Sequence, residues 1–310
     1  MSQSMGNDGA ANFPSELVPF AGGWDEHKDK RCVWIVSPRN YPHSHAFDEV
    51  ALALQGAFTE LGGSLPIVTD LMQFGGRSPI IYGGNLLPVE IIRHLPPDSV
   101  IINLEQVSEE SNWINSQYME ILQHFPVLDY SARNRALLRD KGIRHAGLLE
   151  IGFSPCLSRI PRVEEKDIDV LFYGSLNQRR ADVLSALQRA GLKVAHLFNV
   201  YGEQRDAVIA RSKVVLNIHY YNSNVFEIVR VSYLLANAVC VVSEGSQIDP
   251  DLGVFANGLA VVPYEKIVER CSQLVSDDAE RRALSTRGLE TMLGRSQADM
   301  LRRVMSECPQ

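Results

Sequence analysis

The chain has 310 residues and a mass of 34.5 kDa, about twice the usual single-domain size, so two domains with separate cores are expected. A hydrophobic fraction of 45% with 22% charged residues excludes disordered and fibrous classes. A formal net charge of −7 argues against a nucleic-acid partner, which requires a basic face.

The five cysteines, Cys32, Cys156, Cys240, Cys271 and Cys308, are odd in number, widely spaced and form no C-x-x-C pair. That pattern argues against zinc and a disulfide framework and for a reducing compartment. Residues 1–24 are rich in Gly, Ser, Asn and Pro and lack the apolar block of a signal peptide, so they read as a flexible leader. The longest apolar run, 225–242, is interrupted by Glu227, Arg230 and Asn237 and cannot cross a bilayer. A cytoplasmic protein without a membrane span is expected.

In chain order, short β-branched runs alternate with segments of helical period, the pattern of parallel sheets covered by helices. Strands are predicted at 32–36, 65–68, 79–82, 100–103, 126–128 and 146–151. A helix is predicted at 46–61, where Phe47, Val50, Ala51, Leu54, Ala57, Phe58 and Leu61 share one face before Gly62-Gly63. Pro155, Pro161 and a charged run mark a linker at 156–166, separating a domain at 25–155 from one at 167–310. The second domain repeats the rhythm, with strands at 168–173, 193–197, 214–218, 239–242 and 259–262. Its helices are predicted at 179–190, 203–211, 224–236 and from Pro263 to the end.

Ligands of open parallel sheets bind at the carboxyl ends of strands. That rule selects four loops. Gly174-Ser175-Leu176-Asn177-Gln178-Arg179-Arg180 leaves an apolar strand, turns on glycine and opens a helix with two arginines, which suits a diphosphate. It lacks the G-x-G-x-x-G pattern, so no nicotinamide cofactor is indicated. The second loop carries His219, Tyr220 and Asn222 into a helix where Glu227 and Arg230, one turn apart, pair a ribose acceptor with a phosphate donor. The third carries His43 and His45, and the fourth carries Glu105, each a candidate general base. Two D-x-D triplets, at 167–169 and 249–251, lie before a strand and in a Pro-containing turn. Neither position suits a metal site.

The stretches Asp169-Val170-Leu171-Phe172-Tyr173-Gly174-Ser175, Val215-Leu216-Asn217-Ile218-His219, Phe226-Glu227-Ile228-Val229-Arg230 and Cys240-Val241-Val242-Ser243-Glu244 resemble the donor domain of GT-B glycosyltransferases. Ile151-Gly152-Phe153-Ser154-Pro155 is similar to the interdomain hinge of that family. The resemblance implies an α/β fold of two Rossmann-like domains whose parallel sheets face a central cleft. It also implies sugar transfer from a nucleoside diphosphate sugar, without metal or cofactor, to an acceptor the sequence does not identify. Donor contacts are implied at Gly174, Arg179 or Arg180, His219, Glu227 and Arg230, joined by the loop residues Ser175, Asn177, Tyr220 and Asn222. The chain departs from the family's two glutamates seven residues apart, because Leu235 stands where the second would fall. A nucleotide-sugar epimerase and a catalytically silent binding module remain alternatives on the same scaffold.

Overall fold

The structure, a computed structural model of the chain, describes residues 17–39, 41–108, 111–220, 226–249 and 251–307. Its first half contains α1 (Trp24–His27), β1 (Arg31–Ile35), α2 (Asp48–Glu60), β2 (Ile67–Val68), β3 (Ser78–Tyr82), β4 (Val100–Asn103), α3 (Ser116–His124), β5 (Val127–Asp129), α4 (Ala132–Asp140) and β6 (Ala146–Leu148). The strands form a parallel sheet in the order β2-β1-β3-β4-β5-β6. Every residue of β1 and β4 is buried, as continuous apolar runs covered on both faces must be. Asn115 and Ser131 accept the first free amides of α3 and α4, which fixes where those helices begin.

The second half contains β7 (Ile168–Tyr173), α5 (Gln178–Arg189), β8 (Val194–Leu197), α6 (Gly202–Ala210), β9 (Ser212–Asn217), α7 (Ile228–Ala236), β10 (Val241–Glu244), β11 (Ala260–Val262), α8 (Ile267–Ser276), α9 (Asp278–Leu293) and α10 (Gln297–Glu307). Its parallel sheet runs β11-β10-β9-β7-β8. One apolar cluster joins side chains of α2, α7 and α10, and a further cluster lies on each sheet. Among the described residues no helix is long and apolar enough to cross a membrane.

Three features differ from the sequence expectations. The helix expected from 46 begins at Asp48, preceded by a 3-10 turn at Pro42–Phe47 whose proline sets the first φ. The last strand of the first sheet stops at Leu148 rather than 151. The segment expected to be a flexible leader is partly anchored: Phe20 is buried, stacked edge-on to His27 and beneath the Arg31 guanidinium. An aromatic ring among such partners gains apolar burial that outweighs the polar composition around it.

The chain crosses between the sheets twice. Residues 150–160 lead from β6 to β7, and residues 294–296 lead from α9 to α10, which packs on α2. The crossings are bonded together where Phe153 N donates to Arg295 O at 2.7 Å and Gln297 N donates to Phe153 O at 2.8 Å. In each sheet the strand order reverses beside the first strand, β1 against β3 and β7 against β9. The loops leaving those strands are therefore where a ligand crevice is expected, and they face each other.

Candidate active site

A cavity of about 560 Å³ opens between the two sheets. The first half lines it with Tyr41, His43, Glu49, Glu105 and Trp113, and the second with Gly174, Ser175, Arg180, Tyr201, Arg205, Tyr220, Glu227 and Arg230. A side pocket of about 200 Å³ shares Glu105, Trp113, Tyr220 and Glu227 with it and adds His219.

Gly174 leaves β7 with φ +131°, in the region that favours glycine. A Cβ there would stand 3.3 Å from Nη2 of Arg230, so the bare backbone lets that guanidinium approach. Glu227 heads α7 and lies 3.5 Å from Arg180 and 3.6 Å from Arg230. Nη1 of Arg230 is buried with no hydrogen-bond partner, and the Arg230 guanidinium lies 5.1 Å from the Tyr173 ring. The N-termini of α6 and α7 both open on the cavity, and neither carries a side-chain cap. At α7 the Ile228 and Arg230 amides are already bonded to Phe226 O and Glu227 O, so what the corner offers an anion is the positive end of each dipole and the unpaired guanidinium.

The two arginines at the start of α5 are held differently from the sequence expectation. Arg179 forms a fork to both carboxylate oxygens of Glu244, lies 4.0 Å over the Tyr264 ring and does not line the cavity. Arg180 is buried, donating to Ile218 O at 3.0 Å and Ser175 O at 2.9 Å, so it ties the first donor loop to the second. Asn177 caps α5 and donates to Tyr220 O at 2.8 Å. His219 is buried, with its N–H on Glu244 at 3.1 Å, and reaches only the side pocket. Glu244 thus occupies two groups that sequence reasoning assigned to the donor; long-range pairing of this kind leaves no local pattern. Asn222 lies outside the described residues.

On the opposite wall the histidines separate. His43 lines the cavity, with Nδ1 3.2 Å from the Tyr201 hydroxyl and its ring edge-on to Tyr41. His45 is turned outward, its side chain 57% exposed, and pairs with Asp48 at 2.9 Å. The 3-10 turn fixes this divergence, since two residues at 120° per residue point to different sides. Glu105 lines both pockets, accepts from Asn85 Nδ2 at 3.1 Å, and burial pushes its carboxyl up to about 7. Its backbone is held rigidly: its N–H donates to Asn103, and its carbonyl accepts from Asn103 and Asn134, each at 3.0 Å.

Sequence reasoning missed the floor. Arg205 of α6 donates to Glu49 of α2 at 2.7 Å and to Asp206 at 2.9 Å, while Tyr233 donates to Asp206 at 2.6 Å. These groups are all buried and join the two halves beneath the cavity. The only local signal was an acid, Glu49, beside the apolar face of α2.

The D-x-D residues are occupied elsewhere. Asp167 forks onto Arg211, Asp169 pairs with Lys213 at 2.7 Å, and Asp251 meets Ser131 at 3.3 Å.

Residues 156–304 match the family model described as glycosyl transferase-like. Among curated proteins, L140 of Acanthamoeba polyphaga mimivirus, itself uncharacterised, is 30% identical over 191 residues, covering 58% of this chain and 60% of that protein. The uncharacterised R358 of the same virus is 28% identical over 181 residues, covering 57% and 62%. The chain thus spans less than two thirds of the length of these relatives. Among solved structures, HepE of Anabaena in complex with UDP and glucose superposes with TM-score 0.61 at 10% identity, over 90% of this chain and 98% of that one. WaaG, a glycosyltransferase involved in lipopolysaccharide biosynthesis, gives 0.55 at 9% identity over 90% and 99%. T4 phage BGT with UDP-glucose gives 0.51 at 11% identity over 89% and 97%. At such identities the superpositions speak to fold alone. The chain is thus similar, through residues 156–304, to the glycosyl transferase-like family, and its two facing parallel sheets have the GT-B fold of these neighbours.

Proposed function

We propose that the chain transfers a sugar from a nucleoside diphosphate sugar to an acceptor hydroxyl in the cavity between its two halves, which we take as two domains divided at 156–166. The observation that carries this reading is the unpartnered Nη1 of Arg230, set over Gly174 beside the uncapped start of α7. A diphosphate placed there receives a charge-assisted bond from Arg230 and faces the positive end of the α7 dipole, which oppose the charge that grows as the leaving group departs. Guanidinium and helix dipole supply this charge, so no divalent cation is needed. Glu227, within reach of both Arg180 and Arg230, is placed for the ribose hydroxyls. HepE and BGT, which share the fold, are described with UDP or UDP-glucose bound, and that supports a uridine nucleotide as the first donor to test.

Glu105 is our choice of base. With its carboxyl raised to about 7, it is half ionised near neutrality and able to take the proton of an attacking hydroxyl as that oxygen bonds to the sugar's anomeric carbon and the diphosphate leaves. His43 flanks it, and His45 serves the start of α2 through Asp48. Ser175 and Tyr220 complete the donor wall; Arg179, Asn177 and His219 shape it from behind. A cytoplasmic setting belongs to the same proposal and is supported by the free thiols of Cys32, Cys156, Cys240 and Cys271.

A thermal-shift screen of nucleoside diphosphates tests the donor site, since ligand at 100 times its Kd adds ~2.7 kcal/mol. No stabilisation by any of them would overturn the reading. Binding of the sugar nucleotide without its consumption in the presence of acceptors would mark a silent module, and interconversion of donor sugars without acceptor would mark an epimerase.

A further inference from the structure

Aromatic rings from both halves line the cavity. Tyr41 and His43 of the first half and Phe198 of the second form a chain, with ring centroids 5.2 Å and 5.9 Å apart. Phe198 is nonetheless 49% exposed, although it is large and apolar. Trp113 of the first half is 37% exposed and, like Glu105, lines both pockets. Exposed large rings gathered at the mouth of a cleft signal a ligand that covers them. Here the rings share the cavity with the proposed base.

The charges restrict that ligand. Among the described residues lining the cavity, each arginine (Arg180, Arg205 and Arg230) comes from the second half. Arg180 is tied to backbone carbonyls, and Arg205 is matched by Glu49 and Asp206. The first half contributes the carboxylates Glu49 and Glu105 and no lysine or arginine. A phosphorylated acceptor would therefore meet acids rather than cations. Stacking platforms for single-stranded nucleic acid combine aromatic rings with a basic groove, and this wall has the rings without the groove.

We infer that the acceptor is a neutral saccharide, a pyranose ring held against Trp113 and the Tyr41–His43–Phe198 rings with a hydroxyl presented to Glu105. A pyranose offers apolar C–H faces to aromatic rings and hydroxyls at its edge to carboxylates and phenols, which is the pairing this wall provides. The inference rests on the donor reading for the position of the reacting sugar.

Saccharide contact is measured directly by saturation-transfer NMR on the full chain, using methyl glucoside, methyl galactoside, cellobiose and maltose, with and without UDP. UDP affinity is measured separately by thermal shift, so loss of the donor reading and loss of this one are distinguishable. Transfer from the protein to at least one of these saccharides is expected, weakened by roughly tenfold in Trp113→Ala and Phe198→Ala and restored largely in Trp113→Phe, with UDP affinity unchanged. The inference is overturned if no saccharide receives saturation, or if both alanine variants bind saccharide as the wild type does. It is also overturned if undecaprenyl phosphate, a single-stranded oligonucleotide or a Ser/Thr peptide is glycosylated in preference to the saccharides.

Discussion

Two side chains in the cavity are held at a cost that only a ligand or a reaction relieves. Arg230 keeps a buried donor without a partner, and a charge-assisted bond to phosphate is worth ~1.5–3 kcal/mol, so Arg230→Ala should weaken UDP binding roughly 10- to 150-fold by calorimetry. Arg230→Lys should recover part of this, because an ammonium lacks the planar fork. Arg180→Ala should behave differently. It strips donors from Ile218 and Ser175 inside the fold, so the loss should appear in melting temperature as well as affinity. Glu105 is raised in the folded state relative to its ordinary value, so the folded chain binds a proton more tightly than the unfolded one between about 4.5 and about 7. Its contribution to stability is full below that window and is lost as pH rises through it. Glu105→Gln should therefore gain stability relative to the wild type between pH 5 and pH 8, as read by chemical denaturation at each pH. Turnover has the opposite slope, since the base must be ionised: acceptor kcat/KM should rise with pH through about 7. In Glu105→Gln it should fall by ~10²–10⁴-fold and lose that inflection.

At the scale of elements, the crossings between the two sheets are fixed by backbone bonds in a small space. Gly152 lies where a Cβ would stand 2.5 Å from Arg295 O, and its N–H donates to Gln297 Oε1 at 2.7 Å. Gly152→Ala must push the two crossings apart and should cost ~1–3 kcal/mol, visible as faster amide exchange in 150–153 and 295–297. Asn237, at the end of α7, accepts from the Arg159 and Ile160 amides at 2.8 Å and 2.9 Å and donates to Leu157 O at 2.8 Å. It secures the linker to the helix whose other end forms the proposed diphosphate site, so the donor corner and the crossing are mechanically continuous.

Across the whole molecule, the Glu49–Arg205–Asp206 group is the buried ionic contact under the cleft, and its members are not equivalent. Arg205→Ala leaves two buried carboxylates without their cation and should cost ~3–5 kcal/mol in denaturant unfolding. Glu49→Gln keeps a hydrogen-bond acceptor for Arg205, which retains Asp206, and should cost clearly less. Equal losses in the two variants would mean that Arg205 does not serve both halves. Domain closure, if it accompanies donor binding, must either preserve this contact or break it, and the salt dependence of UDP affinity in Glu49→Gln would report which.

The alternation of buried β-branched runs with amphipathic helices is encoded within windows of ten to twenty residues, so two parallel sheets, the strand-end loops and the glycosyltransferase likeness of residues 156–304 were readable from the chain alone. Strand-end logic also pointed to Gly174, Glu227, Arg230, His43 and Glu105, all of which line the cavity, since each lies on the segment that leads from an apolar strand into the next helix or turn. The choice among charged neighbours was not local. Arg179 and Arg180 are adjacent in sequence, yet one meets Glu244 at the end of β10 and the other meets Ile218 beyond β9, while Arg230, among the arginines lining the cavity, keeps a buried open donor. His43 and His45 divide because a 3-10 turn, rather than the expected loop, carries them. Glu49, Arg205 and Trp113 enter the cleft only because two sheets and a returning C-terminal helix bring distant segments together, and burial by that packing is what raises Glu105 toward neutrality.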